Sequence, residues 1–172
     1  MKNKFLLSAV IALPLLAIFW AAGEKKNVPD VSLETCLKSG TFDEQAARTF
    51  GADDYGMKKY VMAFLRRGPN RPTDAKKAEE LQIAHLKNID RMAGEGKLVL
   101  AGPFLDKGDL RGIYIFNAAP VAEAEALTAT DPAIQAGSLV MELKEWYGSA
   151  ALMAMNDIHK KLSKESIIGE NK

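Results

Sequence analysis

Apolar residues dominate the chain from Phe5 to Ala22, which follows the cationic start Met1-Lys2-Asn3-Lys4 and ends in the small residues Ala21-Ala22-Gly23. A positive start, an apolar run and small residues before a cleavage point are the layout of a secretory signal. It predicts a signal peptide over 1–23, cleaved after Gly23, and a periplasmic or secreted mature protein. The rival reading is an uncleaved anchor, because the apolar run almost reaches the ~18 to 20 residues that cross a bilayer as a helix. Residues 24–56 then read as a polar tether. Within it, Thr41 as N-cap and Glu44 three residues later have the spacing of a capping box and predict a short helix over 41–50.

The rhythm changes at Met57, where the organised domain, 57–148, is expected to begin. Residues 59–66 are apolar on both parities, with Tyr60, Met62 and Phe64 on one side and Val61, Ala63 and Leu65 on the other. Such a strand is covered on both faces. After a Gly-Pro loop, Ala78, Leu81, His85, Ile89 and Met92 recur at three- and four-residue steps, predicting a helix from about Asp74 to Gly94. A strand over 97–101, a turn and a third strand over 110–117 follow. Pro120 suits the first position of a helix over 121–128, Asp131-Pro132 opens another helical turn, and a fourth strand runs from about Ser138 to Tyr147. The order β-α-β-β-α-β is that of an α+β, ferredoxin-like domain with a four-stranded antiparallel sheet and two helices on one face. Two helices cover one face only, so the two-sided strands call for a partner, and a second copy of the chain is the simplest. A charged helix over 149–165, with Ala151, Met155, Ile158 and Leu162 as its stripe, is expected to cover this domain or that partner, and 166–172 reads as a frayed tail.

Composition narrows the function classes. The 172 residues are 48% hydrophobic and 26% charged, with a formal net charge of +1, so there is no basic stripe for nucleic acid or an acidic membrane surface. Membrane contact is expected only through an uncleaved leader. The single cysteine, Cys36, cannot form an intrachain disulfide. Two distant histidines and one cysteine have no metal-ligand spacing, and the glycine patterns of nucleotide and dinucleotide sites are missing, so neither metal nor cofactor is expected.

His85-Leu86, Glu95-Gly96-Lys97-Leu98, Ala101-Gly102-Pro103 and Asp131-Pro132-Ala133-Ile134-Gln135-Ala136-Gly137, in that order, resemble the YCII-related family over roughly 58–146. The resemblance implies a dimeric α+β barrel and a cleft between sheet and helices, with a His and an Asp as a catalytic pair: His85 and Asp131 here. An imidazole whose second nitrogen meets a carboxylate can take and return a proton, which suits a lyase, isomerase or hydrolase. A core histidine and a plain N-cap account for the same two residues. Arg66, Tyr114, Gly102 and Pro103 are secondary candidates for a substrate cleft. Some barrels of this general fold handle haem through a helix-borne histidine, the one cofactor option His85 leaves open. Of two readings, a module that binds a small organic molecule near His85 stands slightly ahead of a cofactor-independent enzyme using His85 and Asp131.

Overall fold

A computed structural model of the chain describes residues 40–168. The expected leader, residues 24–39 of the tether and the last four residues of the tail lie outside the described residues. Among the described residues, no helix is long and apolar enough to cross a membrane.

Helix α1, Glu44–Phe50, starts two residues later than a Thr41 cap implies. Asp43 is the N-cap, its carboxylate accepting the Ala46 N–H at 3.0 Å. The helix ends at Gly51, whose φ of 68° is the left-handed conformation that lets its N–H turn back to the last carbonyls.

Four strands follow: β1 Met57–Arg67, β2 Leu98–Pro103, β3 Leu110–Phe116 and β4 Leu139–Ser149. They lie in the order β2-β3-β1-β4, every neighbour antiparallel. The connections hold α2, Ala75–Gly94, between β1 and β2, then α3, Val121–Thr128, and the single turn α4, Pro132–Gln135, between β3 and β4. This is the expected ferredoxin-like α+β plan. Asp74 caps α2 by accepting the Lys77 N–H at 2.9 Å. Pro120 stands one position ahead of its expected place, at the N-cap of α3.

Strand pairing fixes which side chains share a face. Val61, Ala63 and Leu65 of β1 lie with Tyr114 and Phe116 of β3 against Met92 of α2 and Ala124 of α3, forming the larger core. Fully buried side chains such as Phe116, Met92 and Leu98 each contribute about 2 kcal/mol to it. The buried side of α2 is His85, Asn88 and Met92, with Leu81 and Ile89 half-buried, whereas Ala78 is exposed in the first turns.

The opposite face is partly covered by the chain itself. Beyond β4, a 3-10 segment, Ala150–Ala154, folds back so that Leu152 and Met153 pack on Tyr60, Val99 and Ile115, with Trp146 beside them. Gly148 permits the fold-back, since a Cβ there would stand 2.2 Å from the Trp146 ring. Helix α5, Met155–Leu162, follows and buries no residue. The other end of this face stays open: Phe64 is half-buried and Val140 is 43% exposed.

Candidate active site

His85 sits in the middle of α2, on the side that meets the sheet, and is 7% exposed. Asp131 reaches it from the N-cap of α4. One carboxylate oxygen accepts the Ala133 N–H at 2.8 Å, and the two oxygens stand 3.0 and 2.8 Å from His85 Nδ1. Capping and pairing with the imidazole, the two roles left open for Asp131, are therefore held at once. Asp131 is fully buried, and a buried carboxylate is costly unless it is paired in this way.

On the other side of the ring, the Tyr114 hydroxyl lies 3.2 Å from His85 Nε2. Burial, and then the Asp131 charge, push the Tyr114 phenol far above the ordinary tyrosine range, so it stays protonated. The carboxylate can only accept, so Nδ1 carries a proton toward it, and in the neutral imidazole the Nε2 lone pair accepts from Tyr114. Tyr114 is held by stacking on His85, with centroids 6.2 Å apart, and by edge contact with Phe116 at 5.8 Å.

A polar clamp fixes the approach of Asp131 to α2. Arg91 Nη2 donates to Asn88 Oδ1 and Thr130 Oγ1, both at 2.9 Å, joining the helix to the residue before Asp131. Asn88 is buried and polar, so a hydrophobic stripe does not announce it.

His85 and Tyr114 open onto a cavity of about 280 Å³ between the helices and the sheet. Leu65, Leu81, Leu86, Ile89 and Leu139 form its apolar walls, and Gly102 and Pro103 line it along β2. Five of the six residues marked out by sequence thus meet here, with Asp131 behind His85. The sixth, Arg66, does not. It belongs to the even-numbered side of β1, away from the helices, and is an exposed strand end pairing with Glu142 at 3.3 Å and Asp109 at 3.8 Å. The arginines that do line the cavity are Arg71 and Arg111, which carry no periodic signal because one lies in a loop and the other beside the irregular start of β3. A larger groove of about 770 Å³ runs between α2, β2 and α5, and His159 lines it. Among the described residues, no group of three or more His, Cys, Asp or Glu stands together as a metal set. A buried carboxylate, imidazole and phenol in one line form a path along which a proton can move.

The YCII-related domain model matches residues 62–147, half of the chain, and the match takes in His85, Tyr114 and Asp131. The uncharacterized protein YjpA of Bacillus subtilis (strain 168) is 32% identical over 68 residues, which are 40% of this chain and 78% of that protein. Among solved structures, the 5-chloro-2-hydroxyhydroquinone dehydrochlorinase (TftG) of Burkholderia phenoliruptrix AC1100, in complex with 2,5-dihydroxybenzoquinone, gives a TM-score of 0.39 at 22% identity. The overlap covers 50% of this chain and 92% of that one. On the extent of the family match and the coverage of its bacterial relative, this chain belongs to the YCII-related domain family.

Proposed function

We propose that the chain takes a small organic molecule into the His85 cavity and moves a proton on it without a resident cofactor. His85 is the general base, Asp131 holds its tautomer, and Tyr114 presents the hydroxyl that meets the molecule. The observation that carries this reading is the buried Asp131–His85–Tyr114 line ending at a cavity. Apolar residues of similar volume often replace a buried charged pair at no loss of stability, so a buried Asp131–His85 pair at a cavity wall points to use rather than to packing. In the proposed step, His85 Nε2 takes the Tyr114 proton while the phenol oxygen takes one from the bound molecule. The imidazolium so formed is stabilised by Asp131, and the ligand becomes an anion that can isomerise or expel a leaving group.

A second reading, binding without chemistry, is favoured by one observation: both ring nitrogens of His85 already have partners. A turnover screen of small organic acids, esters and enolisable carbonyl compounds separates the two. Loss of turnover in His85→Ala supports the enzyme. Equal turnover by variant and wild type on every compound converted overturns it, and saturable binding that His85→Ala preserves, with no turnover, supports the binding module.

From the leader pattern of 1–23 we further propose a periplasmic or secreted protein with the leader removed, and from the two-sided β1 a pairing of two copies through the open end of the second sheet face. The mass of the exported protein checks the first point. A chain starting at Glu24 is expected, and a retained Met1 would overturn cleavage.

A further inference from the structure

Resting on the His85 cavity as the binding site, we propose that its ligand is a small monocarboxylic acid and that Arg71, with Arg111, holds the carboxylate. Among the described residues of the lining, the ionisable groups besides His85 and the Tyr114 phenol are these two guanidinium groups, both cationic. Among the described residues, neither has a carboxylate within ion-pair distance, whereas Arg48, Arg66 and Arg91 each do. Arg71 Nη1 makes one long bond, 3.4 Å, to the Ser138 carbonyl, itself part of the cavity wall. Arg111 Nη1 donates to the Asp106 and Gly108 carbonyls at 3.2 Å each. A guanidinium has five N–H donors in a planar fork, so most of the Arg71 fork is free for two carboxylate oxygens.

Charge and shape agree on the ligand class. With the imidazole neutral, two guanidinium groups and the Asp131 carboxylate leave one positive charge at the cavity, which one carboxylate offsets. The remaining wall is mostly aliphatic and suits a hydrocarbon or ring. A volume of about 280 Å³ lies at the small end of ligand cavities, which limits that body to a few carbon atoms or one ring.

Arg71 is also held in place. Its loop is pinned by the Gly68 N–H to the Ser138 carbonyl at 2.9 Å and the Asn70 N–H to the Gly137 carbonyl at 3.0 Å. The approach is so close that a Cβ on Gly68 would stand 2.2 Å from the Gly137 oxygen. The run from Asp131 to Ser138 therefore carries the partner of the base at one end and the seat of the anion anchor at the other.

The test compares benzoate and hexanoate, each with its amide, by calorimetric titration and by the methyl resonances of Leu65, Leu81 and Leu139. Each acid is expected to bind about tenfold more tightly than its amide, the difference a guanidinium–carboxylate pair makes at a partly open site. Arg71→Gln should abolish that preference, Arg71→Lys should restore part of it, and Arg66→Gln on the far face should leave it intact. Equal affinity of acid and amide, or a preference that survives Arg71→Gln, would overturn the anchor while leaving the cavity as the binding site. If none of the four compounds moves the methyl resonances of these three leucines, the anchor and the binding site fall together.

Discussion

Replacing Asp131 separates what its carboxylate does for the fold from what it does for the imidazole. Asp131→Ala removes an N-cap bond of 2.8 Å, which costs about 1 kcal/mol. It also leaves the Nδ1 proton of a histidine that is 7% exposed without an acceptor, a further ~1 to 3 kcal/mol. The expected loss is about 2 to 4 kcal/mol, against the roughly 5 to 15 kcal/mol that holds an ordinary domain. Asp131→Asn behaves differently. Its carbonyl oxygen can still accept the Ala133 N–H, while its amide donates to Nδ1 and forces the imidazole proton onto Nε2, toward Tyr114. The stability loss should then be at least about 1 kcal/mol smaller than for alanine, yet proton transfer should fail as completely. Urea unfolding followed by circular dichroism gives the stabilities, and imidazole nitrogen chemical shifts give the tautomers. The reasoning is refuted if Asp131→Ala stays within about 0.5 kcal/mol of wild type, the range of an indifferent surface change. An asparagine variant that keeps the proton on Nδ1 would refute it equally.

Three further outcomes are expected. Because burial raises the Tyr114 phenol above the ordinary tyrosine value of 10.0, its contribution is fully present below that pH. It is lost above it, as the unfolded chain ionises first, by about 1.4 kcal/mol per pH unit. Tyr114→Phe should flatten that alkaline slope by this amount in urea titrations, and an unchanged slope would contradict the assignment. Gly68→Ala should lower stability by about 2 kcal/mol or more, since its Cβ meets the Gly137 backbone. Gly102→Ala, with nothing within 4 Å of the added carbon, should change the unfolding midpoint little. Light scattering should find a dimer at micromolar concentration, and Phe64→Glu, at the open end of the second face, should give monomer with its melting profile retained.

The strand plan was legible because side-chain parity survives into the sheet. The two-sided pattern of β1 predicted two buried faces, and Val61 and Tyr60 are fully buried on opposite ones. The same parity sets Arg66 on the face of Tyr60, not that of His85, which is why it lies away from the cavity. Ala78 fits the helical period, but the first turns of α2 carry it clear of the sheet. The cap passed from Thr41 to Asp43 because both side chains suit the role, and spacing alone does not choose between neighbours. The pairing of His85 with Asp131 joins residues 46 positions apart and reached the sequence reading only through family likeness. Tyr114 was placed at the cleft, but its bond to Nε2 depends on how closely α2 is drawn to β3. Asn88, Arg91 and Thr130 carry no signal in the sequence, because polar residues on a helix or in a turn look solvated until a second segment meets them. The start of the helix expected over 149–165 is instead the 3-10 return of Ala150–Ala154, and of its two expected targets, this domain or a partner, it packs on this domain.

The short run from Asp131 to Ser138 has a consequence for how such a protein diversifies. It joins the partner of the base to the seat of Arg71 through one rigid backbone turn, closed by hydrogen bonds from the Ile134, Gln135 and Ser138 N–H groups. The distance between those two points is thus set by backbone, whereas Leu81 and Gln82 of α2 and Ile167 border the cavity from outside that turn. On the proposed function, exchanging those side chains would admit new ligands while the spacing between charge and proton stays constant. On that function, ligand selection and proton transfer thus rest on separate parts of the cavity wall.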